Sequence, residues 1–250
     1  KVMVEENSIG GIKLEICANS SFSALQAQLG GASRVELCQN LENGGTTPSH
    51  AQIKLARKEL SIGLHVLVRP RGGDFLYNET EFQEILEDIS FCKQQSCDGV
   101  VVGVLNADGS IDKERNAVIV KHAKPMTVVF HRAFDRCNNP IQGLEDIIAL
   151  GFDRVLTSGL SDTAEQGRDV IKALIEQARE RIEVMPGSGV NERNINALLE
   201  YTQAKSIHTS AKVVIPSKMD FHNPSLAGMD EPVIQTSKAL VEALCDRLRK

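Results

Sequence analysis

Tryptophan is absent from this chain, and its only aromatic residues are two tyrosines and eight phenylalanines in 250 positions. So few flat rings argue against a base-stacking platform for single-stranded nucleic acid and against an aromatic shelf for sugars. Acidic residues outnumber basic ones, 33 to 28, and a net charge of −5 lacks the basic footprint of a general nucleic-acid binder. No apolar run approaches the ~18 residues of a membrane span. Positions 1–11 are polar and lack the apolar stretch of a secretion signal. Six cysteines, none in a CxxC pair, are too sparse for a disulfide scaffold, and Cys92 and Cys97 have the wrong spacing for a zinc knuckle. The expectation is a cytoplasmic protein with reduced thiols, engaging neither nucleic acid nor membrane.

What the chain does contain is a regular alternation. Short β-branched runs fall at 13–17, 34–38, 64–69, 99–103, 127–132, 154–158, 182–186 and 206–210. Helix-like stretches lie between and after them, at 21–29, 48–60, 79–95, 112–123, 140–150, 163–181, 192–201 and 232–249. Pro48, Pro140 and the Asn191-Glu192 pair read as helix starts, and Gly30 and Gly151 as helix C-caps. Successive strands begin 21 to 35 residues apart, the length of one strand, one helix and two loops. Eight such units predict an α/β fold, a single-domain (β/α)8 TIM barrel over 13–250 with an N-terminal extension over 1–12. The connection 211–231 is expected to be an ordered loop over the barrel mouth.

Sites in such barrels form at the carboxyl ends of the strands, and alternation decides which side chains face inward. If Leu14, Ile16, Val35 and Leu37 face the helices, then Lys13, Glu15, Cys17, Arg34, Glu36 and Cys38 face the barrel axis. Two neighbouring strands therefore end in the same Glu-x-Cys pattern, and their thiols can converge. Arg69, Arg71, His131, Arg132, His208 and Ser210 follow other strands, so the mouth gathers carboxylates, thiols, arginines and histidines.

Two chemistries suit this set. A pair of thiolates is a soft donor set that selects Cu(I) or Zn over Mg or Ca. This makes Cys17 and Cys38 the candidate metal ligands, with Glu15, Arg132 and His208 around them. Alternatively, Arg69, Arg71, Gly187, Gly189 and Ser210 could hold a small anionic or phosphorylated metabolite, Gly187-Ser188-Gly189 opening a helix after the seventh strand. Glu36 and His131 would then be the candidate acid and base. Plainer readings stand beside these: free cysteines are commonly just buried, Glu–Arg sets often form structural ion pairs, and Gly-Ser-Gly can be simple turn geometry. His65 is expected at the barrel bottom, while His50, His122 and His222 carry no signal. Cys92, Cys97, Cys137 and Cys245 are read as structural.

Several strings together resemble the CutC copper-homeostasis family: LEIC at 14–17, RVELC at 34–38, GGTTPS at 44–49, RPRGGDF at 69–75, FHRAFD at 130–135, RVLTSG at 154–159 and MPGSG at 185–189. The resemblance runs in order from about 13 to 210 and loosens beyond, although KMDF at 218–221 is similar to a short family segment. It implies a TIM-barrel copper(I)-binding protein of copper homeostasis, cytoplasmic and in eukaryotes also nuclear, forming a homo-oligomer. It also implies that copper(I) is held by the cysteines at 17 and 38. The alternative, a TIM-barrel enzyme of unidentified activity on a small anionic metabolite, stays open at this level.

Overall fold

The computed structural model describes residues 6–221, 223, 225, 226 and 232–249. Eight parallel strands form the barrel: β1 (Lys13–Ala18), β2 (Arg34–Leu37), β3 (Gly63–Leu67), β4 (Gly99–Val102), β5 (Thr127–Phe130), β6 (Arg154–Thr157), β7 (Glu183–Pro186) and β8 (Ser206–Thr209). The ladder runs β7-β6-β5-β4-β3-β2-β1-β8, each strand hydrogen-bonded to its neighbour in that order, so the sheet curls into a nearly closed barrel. Eight helices alternate with them: α1 (Ser21–Leu29), α2 (His50–Glu59), α3 (Glu79–Gln94), α4 (Lys113–Ala123), α5 (Pro140–Leu150), α6 (Arg168–Ala178), α7 (Ile195–Thr202) and α8 (Lys238–Leu248).

Local chemistry sets most helix starts. Ser20, Asp112, Asn139 and Ser237 accept hydrogen bonds from first-turn amides, and Ser49 with Gln52 and Asn78 with Glu81 form capping boxes. Pro140 occupies the first turn of α5, where its missing N–H is no loss. Gly151 takes the left-handed C-cap conformation expected of it. Gly30 does not; its φ is −79° and the positive φ falls on Gly31. Glycine at 30 serves approach instead, because a Cβ there would lie 2.5 Å from Val241 Cβ on α8.

The barrel wall separates two kinds of packing. Leu14, Ile16, Val35, Leu37, Leu64 and Val66 face outward and join the large core beneath the helices. Cys17, Cys38, Leu67, Val101 and Val129 form a second, small cluster inside the barrel. This is the strand phase expected from alternation. Deeper in the barrel lie charged side chains. Arg34 is fully buried, and its guanidinium donates to Glu15 and, at 2.7 Å, to Glu6. Arg154 pairs with Glu183 at 3.0 Å. His65 is buried beside them, and Gly99 makes room for it, since a Cβ there would sit 2.7 Å from the imidazole. Burial this deep requires partners for every charge.

Four expectations about the C-terminal half are corrected. The helix expected from 163 begins at Arg168, because Thr163–Gly167 is a turn folded over the end of β6 where Gly167 packs against Ser158 O. Gly187-Ser188-Gly189 does not open a helix; α7 starts six residues later, at Ile195. The stretch 232–249 is not helical throughout, and the connection 211–231 is not simply a loop. Lys212–Ile215 and Val233–Thr236 form an antiparallel hairpin, β9 and β10, and α8 follows. β-Branched Val233, Ile234 and Thr236 favour the strand. The hairpin is tied to α1 and the residues before it by Asn19 Nδ2 donating to Ile234 O (2.8 Å) and by Thr236 N donating to Ser23 Oγ (3.1 Å). His222 lies outside the described residues. Among those described, no helix is long and apolar enough to cross a membrane.

Candidate metal centre

Cys17 ends the inward row of β1, and Cys38 stands just beyond β2. Register pairs Cys17 with Glu36 and Ala18 with Leu37, so the two cysteines are offset by the barrel stagger. The sulfurs nevertheless lie 3.5 Å apart. That is contact without a bond, since a disulfide measures about 2.05 Å. Register also sets Glu15 beside His208 across β1 and β8. His208 Nδ1 donates to Glu15 Oε1 at 2.7 Å, and Nε2 faces Glu36 Oε2 at 3.5 Å. Ligand atoms of Cys17, Glu36 and His208, all buried, lie within 4.8 Å of one another.

The electrostatics of this cluster are uneven. Burial opposes the charge on Glu15, but Arg34 and His208 outweigh it and hold the carboxyl well below its usual range. Burial likewise opposes charge on His208, yet hydrogen bonds to Cys17 and Glu15 and the nearby carboxylates raise its pKa well above 6.5. Burial pushes the Glu36 carboxyl up, with His208 partly opposing and Glu15 reinforcing. The Cys38 sulfur, then burial, pushes the Cys17 thiol up. A metal-free cluster thus holds imidazolium against one carboxylate, with protons retained on its sulfur. At a metal–sulfur length of about 2.3 Å, two ligating sulfurs of one ion can be separated by up to roughly 4.6 Å, so this pair can reach one ion. Two sulfurs and an imidazole nitrogen also fit a soft ion better than an oxygen-seeking one.

The mouth above these residues is a cavity of about 640 Å³, lined by Cys17, Glu36, Cys38, Arg69, His131, Arg132, Gly189, His208 and Ser210 among others. Arg69 spends its terminal nitrogens on the loops, donating to Asn43 O, Gly45 O and Gly73 O at 2.7 to 2.9 Å. Arg132 is held by Asp135 (2.7 Å) and Ser158 (2.8 Å) at the cavity wall. Three sequence candidates, Arg71, Gly187 and Glu15, do not line the cavity. Arg71 bonds Glu81 at 2.6 Å and Asp74 at 3.1 Å, away from the mouth. Gly187 packs between Leu156 and His208, and a Cβ there would approach Leu156 Cδ1 to 2.5 Å. Glu15 touches the cluster only through His208. His131 Nδ1 accepts from Ala133 N–H at 3.2 Å, and burial together with Arg69 lowers its pKa to about 3. Its neighbour Phe75, for which the sequence offered no signal, lies with its ring centroid 4.9 Å from the imidazole and completes this side. His65, at the barrel bottom as expected, has its pKa lowered to about 4, chiefly by burial. Cys92, Cys97, Cys137 and Cys245 are buried thiols outside the mouth.

Fold and site together define a TIM barrel whose mouth is centred on a thiol pair backed by histidine and glutamate. The chain belongs to the CutC family, whose sequence profile matches residues 12–213. It is 45% identical over 237 residues to a CutC family protein of Parabacteroides distasonis, covering 92% of this chain and 98% of that one. It is also 45% identical over 217 residues to the copper homeostasis protein cutC homolog of Homo sapiens, covering 87% of this chain and 80% of that one. The crystal structure of CutC from Streptococcus agalactiae superposes with a TM-score of 0.76 at 36% identity, over 79% of this chain and 97% of that one. Thiamine phosphate pyrophosphorylase from Pyrococcus furiosus superposes at 0.60 with 14% identity, covering 97% of this chain and 98% of that one, a likeness of fold alone.

Proposed function

We propose that the protein binds copper(I) in copper homeostasis, with Cys17 and Cys38 as the ligating sulfurs. The observation that carries this reading is the 3.5 Å separation of the two sulfurs at the cavity floor, beside the buried His208 and Glu36. Thiolates are the ligating form, so loading releases protons from Cys17 and Cys38. Glu36 Oε2 stands where one of those protons can be received, and His208 Nε2, once its own proton is lost, can supply a further donor. Glu15 fixes the imidazole through Nδ1, as a carboxylate does behind a ligating histidine. The names of the relatives support the copper assignment. The ligation needs reduced thiols, which suits the cytoplasm or nucleus.

Competition of the protein against a chromogenic copper(I) chelator, under reducing conditions, tests the assignment. Parent protein is expected to withdraw copper(I) from the chelator, and Cys17→Ser/Cys38→Ser to withdraw far less. Equal withdrawal by both would refute the site.

A further inference from the structure

Cys17 and Cys38 are not held alike. Cys17 lies within β1, whereas Cys38 stands one residue past β2, where its N–H donates to Ala18 O at 2.9 Å. The chain beyond Cys38 is a loop closed on itself. Gln39 and Thr46 exchange N–H···O bonds of 3.0 and 2.8 Å, and Gly45 N donates to Asn40 O at 3.0 Å. This tight path uses left-handed backbone at Asn40, Gly44 and Gly45, with φ of 56°, 81° and 86°. Gly45 sits on the cysteine: a Cβ there would lie 3.7 Å from Cys38 Cβ and 2.7 Å from Leu67 Cδ2. Leu41, in the same loop, packs against the inner cluster that contains both cysteines. Cys38 has no exposed surface, while Cys17 keeps 7%.

One buried guanidinium holds this loop down. Arg69 is 5% exposed. Its Nη1 donates to Asn43 O at 2.9 Å and to Gly45 O at 2.7 Å, and its Nη2 to Gly73 O at 2.9 Å. The main chain locks the same junction, since Thr47 N donates to Arg69 O and Arg69 N to Thr47 Oγ1, both at 2.9 Å. The Phe75 ring lies 4.9 Å from the guanidinium carbon and backs its plane. A cation buried this deeply is costly unless it is well bonded, and these bonds go to loop carbonyls. We propose that Arg69 is a positioning residue for the thiol pair: it clamps loop 39–46 onto Cys38, which holds that sulfur against Cys17 and closes it to solvent. Lysine lacks the planar fork that serves both loops at once. The effect of the clamp on metal binding rests on the copper reading, and its effect on the reactivity of Cys38 does not.

Alkylation of the reduced, metal-free full chain with iodoacetamide, each cysteine followed by peptide mass spectrometry, tests the clamp. In the parent, Cys38 is expected to react as slowly as Cys245, a fully buried thiol on α8. Arg69→Met removes three hydrogen bonds, and the rate at Cys38 is expected to rise by about tenfold or more, with that at Cys245 unchanged. Arg69→Lys is expected to fall between the two proteins. In competition for copper(I), Arg69→Met is expected to bind about tenfold more weakly than the parent, and Arg69→Lys to lose less. Circular dichroism checks folding; if Arg69→Met does not fold, Arg69→Lys, which keeps the charge, is judged by the same readouts. Rates rising together at Cys38 and Cys245 would mean general loosening and overturn the proposal. So would an unchanged Cys38 rate in the folded variant, or undiminished copper(I) affinity in it where the parent binds. A selective rise at Cys38 with no copper(I) binding by the parent would uphold the clamp and refute the copper site.

Discussion

His208 Nδ1 lies 2.7 Å from Glu15 Oε1, a buried contact across the β1–β8 seam of the barrel. It ties the proposed metal centre to the charged layer below, because Glu15 also accepts from Arg34. The two shifts in this pair have opposite signs. Glu15 is depressed from 4.5, so its contribution to stability is present above that pH and is lost as pH falls toward the folded-state value. His208 is raised from 6.5, so its contribution is full below that pH and is lost as pH rises toward the folded-state value. The stability gap between the metal-free parent and His208→Gln should therefore be widest between pH 4.5 and 6.5 and narrow above it. Urea unfolding across that range measures it; a gap that widens from pH 6.5 to 8.5 would contradict the ion pair.

The two inward glutamates should respond differently to the same substitution. Glu15→Gln removes the charge that faces buried Arg34 and His208, and is expected to lose about 3–5 kcal/mol. Glu36 is raised from 4.5, so the unfolded chain releases its proton before the folded one, and this group reduces stability progressively as pH rises above 4.5. Glu36→Gln should then lie within about 1 kcal/mol of the parent at pH 5 and gain on it as pH rises. Paired chemical denaturation curves at pH 5 and 7.5 distinguish the two.

Arg34 is fully buried and faces Glu6, Glu15 and Glu183. Arg34→Met leaves those carboxylates without their central cation, with an expected loss of about 3–5 kcal/mol. In a cycle with Glu15→Leu, the double variant should lose less than the sum of the single ones. Strict additivity would show that the pair is not coupled.

Gly99 faces inward where His65 fills the barrel. Gly99→Ala sets a Cβ 2.7 Å from a ring that has no exposed direction in which to move. The expected destabilisation is about 1–3 kcal/mol, read from thermal unfolding. Gly11→Ala is a poor control despite open space around it, because its φ is +84°. Gly72→Ala suits better, with no atom closer than 3.4 Å and no positive φ.

Much of the barrel was legible because its signals are local. Alternation in β1 and β2 told which side chains face the axis, and Pro140 marked the start of α5, whereas Asn191-Glu192 did not mark that of α7. Errors cluster where tertiary contact overrides local preference. The stretch 232–249 reads as one helix, yet Val233–Thr236 pairs with a strand some 20 residues earlier, and nothing in its own neighbourhood announces that partner. Arg71 carries the same side chain as Arg69 two residues away, but the loop turns it toward Glu81 while Arg69 lines the mouth.

The order and spacing of residues by themselves determined eight strand–helix units, the inward phase of Cys17 and Cys38, and the family. Those features depend on periodicity and short-range propensity, which the chain carries in its covalent order. Only the tertiary structure decided that the two sulfurs close to 3.5 Å, that His208 bridges toward Glu15 and Glu36, and that Gly187 lies beside that histidine rather than in the cavity. Each of these depends on barrel stagger and on the seam where β8 meets β1, distances set by closure of the whole sheet rather than by any segment of it.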